Sequence, residues 1–155
     1  MPQLSLHRLA PQALLNNIVA ALLLLTAPAL AHGSPAPPSR AGVAVDSSPN
    51  AAHFGARLPL TLTFHDRMGT AVFADLSRPI DTTRAPSMDE YRAGDVAYVA
   101  AEQRIVVFLT NGSAVPDHGL TLLGRLERGL DELIGCREDC LVELSVASTS
   151  SDTRG

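Results

Sequence analysis

Asp95 and Arg125, each directly after a glycine, are the residues of this sequence whose types best suit a binding site. A guanidinium group offers a planar fork of N–H donors that matches a carboxylate, so Arg125, at a predicted strand-to-helix junction, could hold an anionic ligand. The alternative, which we favour, is an Asp95–Arg125 ion pair that braces the fold, because such polar groups commonly satisfy loop backbone. Tyr91 and Tyr98 could flank the pocket, although tyrosines in strands more often pack half-buried with an exposed hydroxyl.

The histidines are weaker candidates for catalysis or metal binding. His65 precedes Asp66 and His118 follows Asp117, and a histidine beside a carboxylate can act as a base. Side chains of adjacent residues seldom point together, however, and a metal site needs three or more convergent ligands. The sequence also contains no Gly-rich phosphate loop, no Gly-x-Ser-x-Gly elbow and no zinc-binding helix motif. We therefore predict no catalytic residue, no metal site and no cofactor.

The composition excludes several further classes of function. All 12 basic residues are arginine, and the absence of lysine excludes Schiff-base chemistry and a lysine grip on phosphate. The net charge of -4 and the lack of a dense basic cluster disfavour a nucleic-acid partner. With 4% aromatic residues and no tryptophan, stacking platforms for bases or sugars are also disfavoured. The remaining partners are a small molecule or a peptide.

Residues 1–31 have the features of a signal peptide. A short polar start containing Arg8 precedes the apolar run Ile18–Ala29, and residues 29–31 give the small-x-small pattern that signal peptidase needs. The run is shorter than the roughly 20 residues that span a bilayer, which disfavours the alternative of a retained membrane anchor. We expect cleavage near Ala31 and an exported chain, periplasmic or secreted, with no stable anchor.

Export favours a disulfide between Cys136 and Cys140, because disulfides persist in oxidising compartments. On a continuous helix the two Cβ atoms would be about 5–6 Å apart, whereas a disulfide needs roughly 3.8 Å. If the pair is bonded, the segment is therefore a tight loop, and the preceding helix ends at Gly135. A redox or metal-binding role is the weaker alternative.

The rest of the chain is interpreted as a flexible lead-in (32–41), one domain (42–146) and a disordered tail (147–155). Alternating apolar residues and turn formers predict most strands, and two stretches have helical spacing. The predicted elements are a short strand at 42–45, a helix from Ser48 that ends before Pro59, strands at 60–65, 70–76, 96–100, 105–109 and 120–123, a helix at 125–134 and a strand at 141–146. This order predicts a mainly β fold, a small closed or nearly closed β-barrel with two short helices.

The stretch from Asp46 to Val146 resembles the bacterial cyclophilin-like domain proteins, a family of small β-barrels without an established activity. The resemblance lies in the order and spacing of short motifs, namely Ser48-Pro49-Asn50-Ala51, Leu58-Pro59-Leu60-Thr61-Leu62, Tyr91, Gly94-Asp95, Tyr98, Leu123-Gly124-Arg125, Gly129-Leu130 and Leu133. It implies a cyclophilin-type barrel but not a cyclophilin's activity.

Two departures from the family pattern affect these expectations. The family usually has a full pair of strands before the first helix, whereas residues 34–39 are Pro-rich. We therefore expect the barrel to lack one edge strand and to leave another strand exposed at its edge. Ala71 also replaces a glutamate that the family tends to carry.

Two functions remain after these exclusions. The first is a non-catalytic exported module that binds a small molecule or peptide. The second is a peptidyl-prolyl isomerase acting on extracytoplasmic chains, which is disfavoured because no stretch resembles the catalytic segment of true cyclophilins. In those enzymes an arginine acts beside an aromatic and aliphatic proline pocket, with glutamine and often tryptophan nearby, whereas the chain expected after cleavage has no tryptophan and one glutamine, Gln103.

Overall fold

The computed structural model describes residues 35–113 and 119–148. The predicted signal peptide, the first three residues of the lead-in and most of the tail lie outside these residues. The described part forms nine strands and two helices, in the order β1 Ser39–Val45, α1 Pro49–Gly55, β2 Leu60–Arg67, β3 Ala71–Asp75, β4 Glu90–Tyr91, β5 Asp95–Val99, β6 Arg104–Phe108, β7 Gly112–Ser113, β8 Leu120–Arg128, α2 Leu130–Ile134 and β9 Cys140–Val146. None of its helices has the length and apolar character needed to cross a bilayer.

Seven of the strands close into a barrel in the order β1-β8-β5-β6-β3-β2-β9, and β4 pairs with β7 in a separate two-stranded sheet. The closing contact is the parallel pairing of β1 with β9, from Ser39 opposite Val142 to Val43 opposite Val146. The other neighbouring pairs in the ring are antiparallel. The predicted mainly β barrel with two short helices is confirmed.

The first strand corrects two expectations. It begins at Ser39, so the last three residues of the predicted flexible lead-in are part of the barrel. It also pairs on both sides, with β8 and with β9, so the expected unpaired edge does not exist. The strand depends on these long-range partners, because Ser39, Arg40 and Ala41 have little β propensity of their own.

The eighth strand is longer than predicted and the second helix correspondingly shorter. Residues 125–128 continue β8, with exposed Arg125 and Glu127 on either side of buried Leu126, which is strand alternation. Gly129 then turns the chain with φ +87°, where a Cβ atom would overlap the backbone of Arg40 and Ala41. The helix therefore starts at Leu130, and Arg125 lies within a strand rather than at its junction with the helix.

The first helix begins where the sequence predicts, with Ser48 as its N-cap. The hydroxyl of Ser48 accepts a hydrogen bond from the Ala51 amide at 3.3 Å, and Pro49 occupies the first helical position. The helix ends at Gly55 rather than just before Pro59. Its buried Phe54 contributes to the barrel interior.

The interior holds one apolar cluster built from alternate residues of the barrel strands. Val72 and Ala74 of β3, Val96 and Tyr98 of β5, and Ile105 and Val107 of β6 all belong to it. The long connection from β3 to β4 packs Leu76 and Ile80 against the same cluster.

Buried polar side chains anchor that connection to the barrel. The Tyr98 hydroxyl accepts from the Ile80 amide at 3.3 Å, and the Asn50 amide of α1 donates to the Asp81 carbonyl. Because buried polar groups are costly unless they are hydrogen-bonded, these contacts fix the path of the connection.

Candidate functional site

The predicted Asp95–Arg125 pair is present. The two residues are opposite each other in the β5–β8 ladder, and Arg125 Nε lies 3.8 Å from Asp95 Oδ1. Arg125 Nη2 also donates to the Ala93 carbonyl at 3.2 Å, while Asp95 Oδ2 accepts from the Arg92 amide at 2.8 Å. Both side chains thus hold the turn before β5, which supports the bracing interpretation. A ligand-binding role for Arg125 stays a prediction.

The two tyrosines lie on opposite faces of the sheet. Tyr98 is 1% exposed in the barrel interior, and its hydroxyl is bonded to backbone rather than exposed. Tyr91, on β4, packs against the outer surface of the barrel wall. They therefore do not flank one pocket, and Tyr91 alone lies beside a cavity.

That outer surface carries a second apolar cluster, which we call the outer cluster. Its residues alternate with those of the interior, because successive side chains of a strand point to opposite faces. Its members are Ala71, Ala97, Val99, Val106 and Phe108, with Phe73, Met88, Tyr91 and Leu120 packed against them. In the middle of β3, β5 and β6 the barrel wall is therefore apolar on both faces.

A concave cavity of about 380 Å³ lies over the outer cluster, and we call it the outer pocket. Its lining consists of apolar side chains with a few polar ones, namely Arg67, Met68, Thr70, Ala71, Phe73, Tyr91, Val99, Glu102, Val106, Phe108, Ser113 and Leu120. A mostly apolar pocket with a small number of polar groups is typical of sites for small molecules.

Two aromatic rings form one wall of the outer pocket. Tyr91 stacks on Phe108 with ring centroids 3.8 Å apart and an interplanar angle of 13°. Gly112 of β7, opposite Tyr91, makes room for this ring, because a Cβ atom there would overlap the ring and its hydroxyl. The small β4–β7 sheet therefore serves to hold Tyr91 against the barrel.

Some of the charged groups at the rim of the outer pocket are ion-paired, whereas Arg67 has no ion pair within the described residues. Arg104 bonds Asp75 at 2.7 Å and Glu102 at 2.9 Å, and the hydrogen bond with Asp75 is the main cause that raises the pKa of Arg104 above its ordinary value. Arg67 instead stands with its guanidinium carbon 5.4 Å from the centroid of the Phe73 ring, a cation–π contact. Glu102 is thus compensated, whereas Arg67 faces an aromatic ring.

A smaller cavity of about 220 Å³ adjoins the outer pocket and shares Arg67 and Phe73 with it. His65 lines this cavity, and its Nδ1 lies 2.7 Å from Asp139 Oδ1 rather than beside the carboxylate of Asp66. The pair Asp117-His118 lies outside the described residues. Across the described part of the chain, no three His, Cys, Asp or Glu side chains are grouped so that they could hold a metal ion.

The predicted disulfide is present. Cys136 and Cys140 are joined with an S–S distance of 2.04 Å and a Cα–Cα distance of 5.9 Å. The helix before it is capped by Gly135, so the two cysteines span a loop as their spacing requires. Buried Cys136 contributes to the interior cluster, which indicates a structural role.

The outer pocket is not among the predicted sites, although the sequence carries one signal for it. Residues 71–74 (AVFA) and 105–108 (IVVF) are uninterrupted apolar runs rather than alternating ones. Such runs indicate strands covered on both faces. They do not indicate what covers the outer face, nor that Arg67 stands beside it.

The comparisons with known proteins agree with this architecture. The model of the cyclophilin-like family matches residues 39–145, which is more than half of the chain. A solved structure, described as a conserved protein from a locus in Enterococcus faecalis with an unknown function, is similar with a TM-score of 0.53 and 15% identity. The match covers 71% of this chain but 30% of that one, so it supports the fold alone. No curated protein matches.

Proposed function

This chain belongs to the cyclophilin-like family, and we propose that it is an exported, non-catalytic module that binds a small molecule or a short peptide in the outer pocket. The observation that carries the proposal is the outer cluster with its cavity of about 380 Å³. A barrel needs an apolar interior, but its outer face normally meets water and gains nothing from apolar side chains.

The shape of the outer pocket supports binding rather than packing. The β4–β7 sheet covers only part of the outer cluster, and Phe73 remains half-buried at the open side. Ligand pockets commonly have volumes from about 300 Å³ upward. The outer pocket is therefore of a size for one ring or one branched side chain.

Export is supported by the cysteine pair and by the N-terminal sequence. A disulfide between Cys136 and Cys140 suits an oxidising compartment, and the apolar run at 18–29 precedes a small-x-small pattern. Mass spectrometry of the expressed full-length chain tests this part. We expect an N-terminus near His32 in the exported fraction, and an uncleaved chain retained in the cytoplasm would contradict it.

A peptidyl-prolyl isomerase is the second candidate, and one observation favours it. Arg67 stands beside aromatic and aliphatic side chains, which is the kind of pocket that true cyclophilins use for proline. Among the described residues, no glutamine or tryptophan lines the outer pocket, and the amide of Gln103 donates to the Leu76 carbonyl. A protease-coupled assay with proline peptides separates the two candidates: catalysis that is abolished by Arg67→Ala or Phe73→Ala would establish the isomerase.

Binding is tested by ¹H–¹⁵N chemical shifts during titration with two neutral probes, 3-phenylpropionamide and a blocked Ala-Phe-Ala tripeptide. A ligand of about 11 heavy atoms at roughly 0.3 kcal/mol per atom gives a Kd in the low millimolar range. We expect saturable shifts at the amides of Phe73, Val106 and Phe108.

The matched variants are Phe73→Ala, which removes a wall of the outer pocket, and Ile134→Ala, which removes an exposed apolar side chain on α2. Phe73→Ala should weaken binding and Ile134→Ala should not. Shifts that do not saturate, or that are equal in both variants, would contradict binding in the outer pocket.

A further inference from the structure

We infer that the ligand of the outer pocket is a small amphipathic carboxylate, with its apolar body in the pocket and its carboxylate on Arg67. This inference rests on the proposed function, because it specifies the chemistry of a ligand for the same pocket. Three features of the described residues carry it: the position of Arg67, the state of the charges around it, and the size of the apolar space.

Of the residues that line both cavities, Arg67 is the charged one. It is the last residue of β2, opposite Ala71, and its side chain lines the outer pocket and the smaller cavity beside it. Its guanidinium lies over Phe73 at 5.4 Å from the ring centroid. A cation–π contact does not use the N–H donors of the guanidinium, so the donors stay available for a carboxylate.

The neighbouring acidic groups do not compensate Arg67. Within the described residues, no carboxylate oxygen lies within 4.0 Å of its guanidinium, which is the distance that defines a salt bridge. Glu102 and Asp75 both bond Arg104. Asp66 accepts a hydrogen bond from the Gly69 amide at 3.0 Å in the hairpin turn. A ligand anion would therefore meet a positive group already flanked by an apolar wall.

The size of the apolar space limits the rest of the ligand. About 380 Å³ admits a single ring or branched chain next to the Tyr91–Phe108 stack. Met68, 93% exposed at the tip of the β2–β3 hairpin, lines the same pocket and can cover such a body. The chemistry that fits is an aryl- or alkyl-substituted short-chain acid.

The experiment compares three probes that have the same apolar body and differ in charge: 3-phenylpropionate, 3-phenylpropionamide and 3-phenylpropan-1-amine. Their affinities are measured by ¹H–¹⁵N chemical shifts with the unaltered protein, with Arg67→Gln and with Arg40→Gln. The control removes another exposed arginine, on β1, which does not line the outer pocket, and it changes the net charge by the same amount.

We expect the carboxylate to bind about tenfold more tightly than the amide, a factor that corresponds to about 1.4 kcal/mol. Arg67→Gln should abolish this preference and leave the affinity for the amide within about twofold. Arg40→Gln should retain the preference. The preference should also shrink as salt is added, because screening weakens a partly exposed ion pair.

Different outcomes refute different claims. If the amide or the amine binds in the outer pocket at least as tightly as the carboxylate, the inference is wrong and the proposed binding function stands. If none of the probes shifts the amides of the outer cluster, the proposed function fails as well. A free-acid Ala-Ala-Phe tripeptide that binds far more tightly than 3-phenylpropionate would overturn the assignment to a small molecule in favour of a peptide C-terminus.

Discussion

Replacing Met68 by asparagine should make the protein more stable and its outer pocket a weaker binding site. Met68 and Gly69 form the tip of the β2–β3 hairpin with φ of 56° and 71°. Two positive φ values are the pattern of a type I′ turn, in which asparagine and glycine are strongly preferred. Methionine at the first of these positions therefore opposes the local preference, although its side chain lines the outer pocket.

The magnitude follows from the turn and from the exposure of the side chain. A left-handed conformation costs a residue with a Cβ roughly 1–2 kcal/mol, and asparagine tolerates it best among such residues. Met68 is 93% exposed, so its loss forfeits only about 0.1–0.2 kcal/mol of the roughly 1.5–3 kcal/mol that full burial would contribute. We expect Met68→Asn to raise the free energy of unfolding by about 1 kcal/mol, or the Tm by about 4 °C.

The binding effect should have the opposite sign. If a bound ring removes about 30 Å² of Met68 from water, its loss costs about 0.75 kcal/mol, which is roughly a threefold increase in the Kd of 3-phenylpropionate. Stability is measured by urea and thermal unfolding, and binding by the same chemical-shift titration on both proteins.

Arg84 provides the matched control, because it is exposed, has φ 66° and does not line the outer pocket. Arg84→Asn should stabilise by a similar amount and leave the Kd unchanged. A loss of stability in Met68→Asn would refute the strain argument. A stabilised Met68→Asn with unchanged affinity would show that Met68 does not cover the ligand.

Three further predictions concern residues outside the outer pocket. Reduction of the Cys136–Cys140 bond, which closes a loop of five residues, should lower the free energy of unfolding by about 2 kcal/mol in denaturant titrations, and a change near zero would contradict the chain-entropy argument. Arg125→Ala should cost about 1 kcal/mol of stability while leaving the Kd of 3-phenylpropionate unchanged, whereas a weaker Kd with unaltered stability would assign Arg125 to ligand binding. Hydrogen bonds from the side chain and backbone of Thr83 lower the pKa of Asp81, so its contribution to stability is present above the pKa of the unfolded chain and is lost as the pH falls through the folded pKa. Asp81→Asn should therefore be less stable than the unaltered protein at pH 7 and equal to it in strong acid, and a difference that persists in acid would point to another cause.

The sequence was sufficient to predict the barrel because its signals are local. Alternation along residues 60–65 and the helix start at Ser48 each depend on neighbouring residues, and the structure confirms both. The expected export favours the disulfide, and a bonded pair requires a loop, since four-residue spacing on a helix would keep the cysteines apart. Strand β1 begins before its predicted start because Ser39–Ala41 are held by partners about a hundred residues away.

The misplaced second helix shows how two periods can coincide. Leu126 and Leu130 are four apart, as on one helical face, and Leu126 also fits the inward side of a strand. Pairing with β1 and β5 keeps Leu126 in a strand, and the positive φ of Gly129 separates this strand from the helix. Spacing alone could not resolve this ambiguity.

The same distinction between local and long-range information explains why the sequence indicates a role for Arg125 and none for Arg67. Arg125 stands in a short recognisable motif, and its partner Asp95 stands in another. The surroundings of Arg67 depend on strand register and strand order. Arg67 pairs with Ala71 on β3, two residues before Phe73, and β3 pairs in turn with β6. No property of residues 66–69 alone predicts an aromatic pocket beside them.

The two apolar clusters consist of different side chains of the same strands. Residues that stabilise the interior are therefore not the residues that shape the outer pocket. In β6, Ile105 and Val107 point into the barrel while Val106 and Phe108 point outward. A change of an outward residue alters the outer pocket without opening a cavity in the interior, where the larger cost of truncation lies. The barrel can therefore keep its fold while its outer pocket changes shape and charge. If the outer pocket binds a ligand as proposed, its specificity therefore depends on residues such as Arg67 and Met68, and not on the interior cluster.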